Sequence, residues 1–256
     1  MLILSMANEP ELTPAGQPIY RHENQEREDA PVAYVSEAGY AALEAHYAKF
    51  LGGDSTVFHE LISDLVHIDV YFYPPTPERP YNVMATIGMS ALPMNAPEGA
   101  EAARFAELVI ALPANWPISQ ESFENEDNFW PVSWLKQLAR LPHEYNTWLS
   151  WGHTIPNGDP AEPLASNTRL SGILLLSPVN LGEGFPQVTM PDGSSVNVYA
   201  LIPLYDEEMD LKLREGVEAL FPGFDQHSVT ELLNVNRPNT VKPAAKKSLL
   251  NRFFKR

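Results

Sequence analysis

The spacing of apolar residues in the first half of the chain predicts one helix followed by several strands. Residues 36–51 carry apolar side chains at i, i+3 and i+4 spacing, and Gly52-Gly53 end this helix. Runs of β-branched and aromatic residues between turn signals predict strands at 57–62, 66–73, 81–88 and 104–112. The strand at 104–112 is apolar almost throughout, so we expect it in the centre of a sheet with both faces covered.

The middle of the chain predicts a loop, two short helices and a further strand. Residues 116–131 are aromatic and acidic and indicate a long loop. A helix is expected at 131–141 with Pro131 in its first turn, and Pro142 then begins a second helical segment at 143–150. Residues 152–167 are rich in turn residues, and residues 170–176 form an apolar strand.

The last third predicts a hairpin and two helices. Residues 188–190 and 195–205 pair across Pro191-Asp192-Gly193, whose glycine supplies the positive φ that the turn needs. Acidic residues at the start of 206–221 suit the N-terminus of a helix. Ser228 and Glu231 have the spacing of a capping box, which predicts one more short helix.

Together these elements predict the fold class α+β. We expect one domain built on a mixed, mostly antiparallel β-sheet of five to seven strands packed with helices. Residues 1–30 are a polar, proline-containing lead-in of irregular structure, residues 31–238 form the domain, and residues 239–256 are a basic C-terminal tail. Internal repeats are absent from the sequence.

Composition narrows the class of protein. The chain has 256 residues, of which 44% are apolar, so it can bury one substantial core. It has no cysteine, which excludes disulfides and thiolate metal ligands. Residues 1–6 are too short for the apolar region of a signal peptide, and no segment reaches the roughly 20 apolar residues of a membrane span. The expected location is therefore the cytoplasm.

The distribution of charge favours a protein partner over nucleic acid. The formal net charge is −16, although the tail from residue 239 carries six basic residues and no acidic one, so residues 1–238 carry −16 − 6 = −22. Such a body repels phosphate backbones and attracts a basic protein, but the same charge also simply keeps a protein in solution. The tail is amphipathic and suits a membrane surface, acidic nucleic acid or the acidic body itself, but a frayed chain end is the commonest outcome for such a segment.

Candidate chemistry is sparse. His67 and Asp69 leave the same face of a predicted strand, and with His59, His143, His153 and Asp159 they could serve as metal ligands or an acid/base pair. No zinc-like spacing supports a metal site, and Gly88-Met89-Ser90 lacks the second glycine of a nucleophile elbow. We therefore expect no catalytic residues, no metal and no cofactor. A hydrolase that uses the His67/Asp69 face stays open as an alternative.

Several long blocks resemble one protein family. They are VFHELISDLVHIDVYFYPPTPERPY, GMSALPMNAPEGAE, FWPVSWLKQLARLPHEYNTWLSWGHTIPNGDPAEP and YALIPLYDEEMDLKL. These blocks resemble the suppressor of fused family in its single-domain bacterial form. The resemblance implies a suppressor of fused-like domain without enzymatic activity. Bacterial members are typically immunity proteins or antitoxins that neutralise a cognate toxin, often a nuclease, and the animal domain clamps a short peptide of a zinc-finger transcription factor.

The resemblance has limits. Bacterial relatives commonly have Asp where this chain has Ala91, and the animal peptide contacts are not reproduced at Met84 and Asn95. Binding of the animal transcription factor is thus not implied. The leading hypothesis is an immunity protein that binds a basic toxin domain stoichiometrically, and the alternative is a peptide-binding regulatory module without a toxin partner.

Proline-stiffened loops and aromatic-acidic segments suit recognition because a rigid loop loses little entropy on docking. On this basis, together with the turn at 88–94, the sequence predicts twelve partner-binding residues. They are Asp69, Thr76, Glu78, Arg79, Met89, Ser90, Met94, Trp130, Trp151, His153, Asn157 and Asp159. The alternative for the aromatic residues is burial, in which case they only hold the loops together.

Overall fold

An eight-stranded mixed sheet forms the centre of the protein. A computed structural model describes residues 11–22, 31–60, 63 and 65–241. The expectations for residues 1–6, for most of the lead-in charge run, for the end of the 57–62 strand and for the tail beyond residue 241 lie outside these ranges.

Ten strands are described. They are β1 (Glu11–Leu12), β2 (Pro18–Ile19), β3 (Thr56–Phe58), β4 (Asp69–Tyr73), β5 (Tyr81–Ile87), β6 (Ala106–Pro113), β7 (Thr154–Pro156), β8 (Gly172–Leu176), β9 (Gln187–Thr189) and β10 (Ser195–Leu204). β1 and β2 form a small hairpin. The other eight form one sheet in the order β3-β4-β5-β6-β10-β8-β7, with β9 paired to β10. Only the β6–β10 pair is parallel among these strands, so the predicted α+β class with a mixed, mostly antiparallel sheet is confirmed.

The sheet has one more strand than the upper predicted number. β7 lies in the segment expected to consist of turns, and it forms because it pairs with β8. β6 is central as predicted, and its residues 106–112 are buried. The hairpin of β9 and β10 also forms as predicted, with Gly193 at φ 84°.

Helices cover both faces of the sheet. They are α1 (Glu37–Leu51), α2 (Glu126–Glu144), α3 (Asp206–Glu215) and α4 (Phe221–His227), with single 3₁₀ turns at Met89–Ala91, Glu101–Ala103, Ser122–Glu124 and Val217–Leu220. α1, α3 and α4 bury Leu43, Met209 and Phe224 against one face. α2 buries Trp130 and Leu135 against the other face.

Three helix predictions were wrong, each for a local reason. α2 begins at Glu126, five residues before Pro131, because the Asn125 side chain caps it by accepting from Asp127 N at 3.0 Å. α2 also continues through Pro142 to Glu144, since a proline this close to the end of a helix removes only one backbone hydrogen bond. The chain then leaves the helix at Asn146, whose φ is 48°, so the predicted second helix at 143–150 does not form beyond the end of α2.

Left-handed residues also divide the C-terminal helices. Gly216 has φ 92° and ends α3 inside the predicted 206–221 helix. Ser228 is left-handed and ends α4, so the predicted capping box does not start a helix. Instead the chain returns to the sheet, where Leu233 N donates to Ala111 O and Ala111 N donates to Glu231 O.

Candidate functional site

Asp69 lies at the start of β4 and is 3% exposed. Its Oδ2 accepts from Tyr40 Oη at 3.0 Å and contacts His59 Nδ1 at 3.2 Å, and its Oδ1 accepts from Glu60 N at 3.1 Å and contacts His67 Nε2 at 3.1 Å. These partners come from α1 and from the segment between β3 and β4. The carboxylate therefore joins several segments at this edge of the sheet. Because it is buried, it is not accessible to a binding partner.

The alternative of a hydrolase depends on the same residues. Ser63 Oγ lies 3.0 Å from His67 Nδ1, which gives a serine, a histidine and an aspartate in a row. The Ser63 hydroxyl has one proton, however, and it donates to Glu60 Oε2 at 2.6 Å. Glu60 is paired in turn with Arg140. The histidine is thus not arranged to withdraw the serine proton, as nucleophilic catalysis requires.

Thr76, Glu78 and Arg79 occupy the turn between β4 and β5. Arg79 is 7% exposed and donates to Leu51 O at 3.0 Å and to Pro74 O at 2.7 Å. Thr76 is half-buried and accepts from Arg79 N at 3.1 Å. Only Glu78 of the three is exposed, so the turn offers a partner one charged side chain.

Met89, Ser90 and Met94 lie in the turn after β5 and are buried. Glu107 of β6 holds this turn from inside the sheet, because it accepts from Gly88 N, Ser90 N, Ser90 Oγ and Thr86 Oγ1 at 2.6–3.0 Å. Burial raises the pKa of Glu107 although these four donors act in the opposite direction. Residue Ser90 thus serves the fold as an internal donor.

Trp130 is also buried, at 2% exposure, with its ring 6.5 Å from that of Trp116. Six of the twelve predicted residues are therefore inside the protein, namely Asp69, Arg79, Met89, Ser90, Met94 and Trp130. Their assignment as direct partner contacts is corrected here, because a side chain without accessible surface cannot form an interface in this conformation.

Trp151 and His153 are two positions apart just before β7, and the structure adds residues that the sequence did not predict. Ring centroids are 4.5 Å apart for Trp148 and His153, 6.3 Å for Tyr20 and His153, and 5.3 Å for His22 and Tyr145. We call this set the aromatic–histidine surface, which consists of Tyr20, His22, Tyr145, Trp148, Trp151 and His153. Tyr20 and Trp151 are its exposed large hydrophobic side chains, at 44% and 42% exposure.

The loop after β7 borders this surface. Asn157 Nδ2 donates to Glu162 O at 3.0 Å and to Pro163 O at 2.9 Å, which fixes the loop. Asp159 has an almost fully exposed side chain and lies 3.9 Å from Arg21, next to the surface. The loop thus brings Asp159 beside Arg21, the chain neighbour of Tyr20, whereas Asn157 serves the fold of the loop itself.

Burial governs the electrostatics of the aromatic–histidine surface. Burial and the positive charge of Lys212 on α3 lower the pKa of His153 to about 4, so its imidazole is neutral at pH 7. Burial also lowers the pKa of His22. The rings of the surface are therefore uncharged at pH 7, and its border carries Asp159 together with Arg21.

Sequence reasoning missed Tyr20, His22, Tyr145 and Trp148. Tyr20 and His153 are 133 positions apart, and no local pattern reports such a contact. Within the described ranges no three or more His, Asp or Glu side chains are grouped to hold a metal ion. None of the helices in those ranges is long and apolar enough to cross a membrane.

Comparison with known proteins agrees with this fold. A family model described as suppressor of fused protein (SUFU) matches residues 64–238. An uncharacterized protein of Ureaplasma parvum serovar 3 is 27% identical over 160 residues, which cover 62% of this chain and 74% of that protein.

Solved structures share the architecture at low identity. A suppressor of fused homologue from Neisseria gonorrhoeae has a TM-score of 0.57 and 20% identity, with 80% of this chain and 98% of that chain covered. The Sufu–Fu complex has a TM-score of 0.56 and 17% identity, covering 79% of this chain and 92% of that chain. Drosophila Suppressor of Fused has a TM-score of 0.56 and 16% identity, covering 79% of this chain and 51% of that chain.

Proposed function

Because this chain belongs to the suppressor of fused family, we propose that it is a non-enzymatic protein-binding domain and, more specifically, an immunity protein that neutralises a cognate bacterial toxin. It acts by stoichiometric binding in the cytoplasm. Protein binding is supported by a solved structure of similar fold, which is the complex of Sufu with Fu.

The observation that carries the proposal is the exposed part of the aromatic–histidine surface. Tyr20 and Trp151 each keep more than two fifths of their surface accessible, although aromatic side chains of this size are usually mostly covered. Tyrosine and tryptophan dominate binding energy at protein interfaces. Trp151 packs at 6.3 Å on Phe221 of α4, so its ring is held in place before a partner arrives.

Charge supports a basic partner. The chain carries a formal net charge of −16. A strongly acidic protein increases the encounter rate with a basic toxin domain and disfavours direct contact with nucleic acid.

Co-expression with the product of the neighbouring gene tests the proposal. We expect the two proteins to co-purify in a fixed ratio and this chain to protect cells from that product. Tyr20→Ala and Trp151→Ala should each weaken binding by about 1–2 kcal/mol or more. Val179→Ala is the matched control, because Val179 is apolar, 72% exposed and outside the aromatic–histidine surface.

Two outcomes would contradict the proposal. The toxin role fails if the neighbouring product is harmless and this chain protects no cell. If a pull-down instead recovers an endogenous protein whose binding depends on Trp151, the chain is a peptide-binding regulatory module without a toxin partner.

A further inference from the structure

A small cleft opens where the chain returns to the sheet after α4. Its volume is about 60 Å³. The apolar part of its lining consists of Leu170, Ile202, Pro203, Val229, Leu232 and Pro238. Leu232 is 39% exposed, although its neighbour Leu233 is buried in the core. The cleft is therefore of a size to receive an apolar side chain that covers Leu232.

The described part of the chain ends beside this cleft. Pro238 lines the cleft, and the next two residues are bound to α3. Asn239 Nδ2 donates to Glu207 Oε2 at 2.7 Å, and Thr240 Oγ1 donates to Glu208 Oε1 at 2.7 Å. Val241 is the last described residue. Residues 242–256, which we call the distal tail, therefore start at a point that these contacts fix next to the cleft.

The distal tail is long enough to reach back to the cleft. Pro238 and Val241 are separated by three residue steps, which span at most about 11 Å. The eight steps from Val241 to Leu249 span up to about 29 Å when extended. The apolar side chains of the distal tail are Leu249, Leu250, Phe253 and Phe254. Because the tether is short, closing this loop costs little entropy.

The charges at the starting point attract the distal tail. Asp206 and Asp210 are exposed on α3, and Asp225 is exposed on α4. Burial and the negative charges of Asp210 and Glu207 raise the pKa of Asp206, which shows that these carboxylates repel one another. The distal tail carries six basic residues and no acidic one, so it supplies the opposite charge.

We propose that the distal tail folds back onto this cleft, where one of its apolar side chains packs on Leu232 and its basic side chains face the acidic residues of α3. This inference does not depend on the proposed function. A tethered segment has a high effective concentration at its own cleft, whereas a second copy or a separate partner must bind from solution.

A spin label tests the proposal in the complete 256-residue chain. Because the sequence has no cysteine, Ser248→Cys provides a single site for a nitroxide label within the distal tail. The label broadens the NMR signals of nearby backbone amides in the ¹⁵N-labelled protein. We expect loss of signal intensity at Val229 and Thr230 in the cleft. We expect no loss at Gly193, in the hairpin turn that precedes β10, because the cleft lies at the other end of that strand.

Two substitutions test the contacts. Leu232→Ser should restore the intensity of the cleft signals in the labelled chain. Leu92→Ser is the matched control and should leave them broadened, because Leu92 is also a leucine, 38% exposed. Leu92 follows the turn that Glu107 holds near the start of β6, whereas Leu232 forms a bridge to Ala111 near its end.

Charge reversal separates docking from folding. Lys246→Glu together with Lys247→Glu lies in the distal tail, outside the sheet and the helices that form the core. We expect this double variant to restore the intensity at Val229 and Thr230 while the remaining spectrum stays that of the wild type. Broadening as strong as in the unmodified tail would refute the electrostatic part of the proposal.

Further outcomes identify a different occupant. If broadening of the cleft signals also appears when unlabelled ¹⁵N protein is mixed with spin-labelled ¹⁴N protein, a second copy fills the cleft and the proposal is wrong. The proposal is also wrong if the label has no effect and the Val229 signal shifts only when the product of the neighbouring gene is added. Equal effects of Leu232→Ser and Leu92→Ser would exclude the cleft as the docking site.

Discussion

Replacing Glu107 by leucine tests whether an acidic side chain in the central strand organises the turn after β5. Leucine removes the acceptor of four donors: the backbone N–H groups of Gly88 and Ser90 and the hydroxyls of Ser90 and Thr86. The Thr86 hydroxyl can turn to Leu108 O at 3.5 Å, but the two backbone donors stay buried without an acceptor.

The size of the effect follows from these two orphaned donors. Each unsatisfied buried N–H costs about 1–3 kcal/mol, and removal of a desolvated carboxylate offsets part of the sum. We therefore expect Glu107→Leu to lower the free energy of unfolding by about 2–4 kcal/mol. Glu107→Gln keeps one carbonyl oxygen for three donors and should cost about 1 kcal/mol or less.

Urea unfolding followed by tryptophan fluorescence measures both variants, and its pH dependence gives a second criterion. Burial raises the pKa of Glu107 above its ordinary value of 4.5, so the folded state binds this proton more tightly than the unfolded state. Wild-type stability should then fall as the pH rises from 4.5 through the folded-state pKa, and Glu107→Gln should lose that part of the slope. A Glu107→Leu variant as stable as the wild type would refute the reasoning.

Three further predictions concern the fold around the candidate sites. Arg237→Met leaves Glu208 buried without its cation and should cost about 3–5 kcal/mol in thermal or urea unfolding, and Glu208→Met in the same chain should recover part of the loss. Gly88→Ala places a Cβ 2.0 Å from a backbone carbonyl at φ 141° and should cost about 3 kcal/mol or more, whereas Gly193→Ala, in open space at φ 84°, should cost only about 1 kcal/mol. His153 has a folded pKa of about 4, below the ordinary 6.5, so its contribution to stability is lost as the pH falls from 6.5 through 4, and His153→Gln should show a shallower loss of urea stability over that window.

Each of these has a result that would contradict it. Equal unfolding midpoints for Arg237→Met and the wild type would show that the buried pair adds nothing. If Gly193→Ala lowers the free energy of unfolding as much as Gly88→Ala does, the predicted clash at Gly88 is wrong. If His153→Gln loses as much urea stability between pH 6.5 and pH 4 as the wild type, another group must cause that loss.

The sequence pattern correctly predicted those helices, turns and strands that are specified by residues close together in the chain. The stripe in α1 and the turn at Gly193 needed only neighbouring residues, and the apolar run of β6 placed that strand in the centre. The start of α2 was missed because one asparagine side chain decides it, and β7 was missed because three residues become a strand only beside β8.

The candidate site was less predictable than the fold. Trp151 and Asp159 were chosen for residue type, and both are exposed, but the same criteria selected Trp130 and Arg79, which are buried. Residue type cannot report burial on its own. The contact of Tyr20 with His153 depends on how the chain returns across the molecule, which a single sequence does not encode locally.

The return of residues 231–233 to β6 has a consequence for biosynthesis. The central strand emerges from the ribosome long before the segment that completes its hydrogen bonding at Ala111, so it waits with unpaired peptide groups while more than a hundred residues are translated. A nascent chain halted before Leu233 would expose this strand to chaperones and to other nascent chains. Native structure should therefore be acquired late, as a step that follows synthesis of the α4 region.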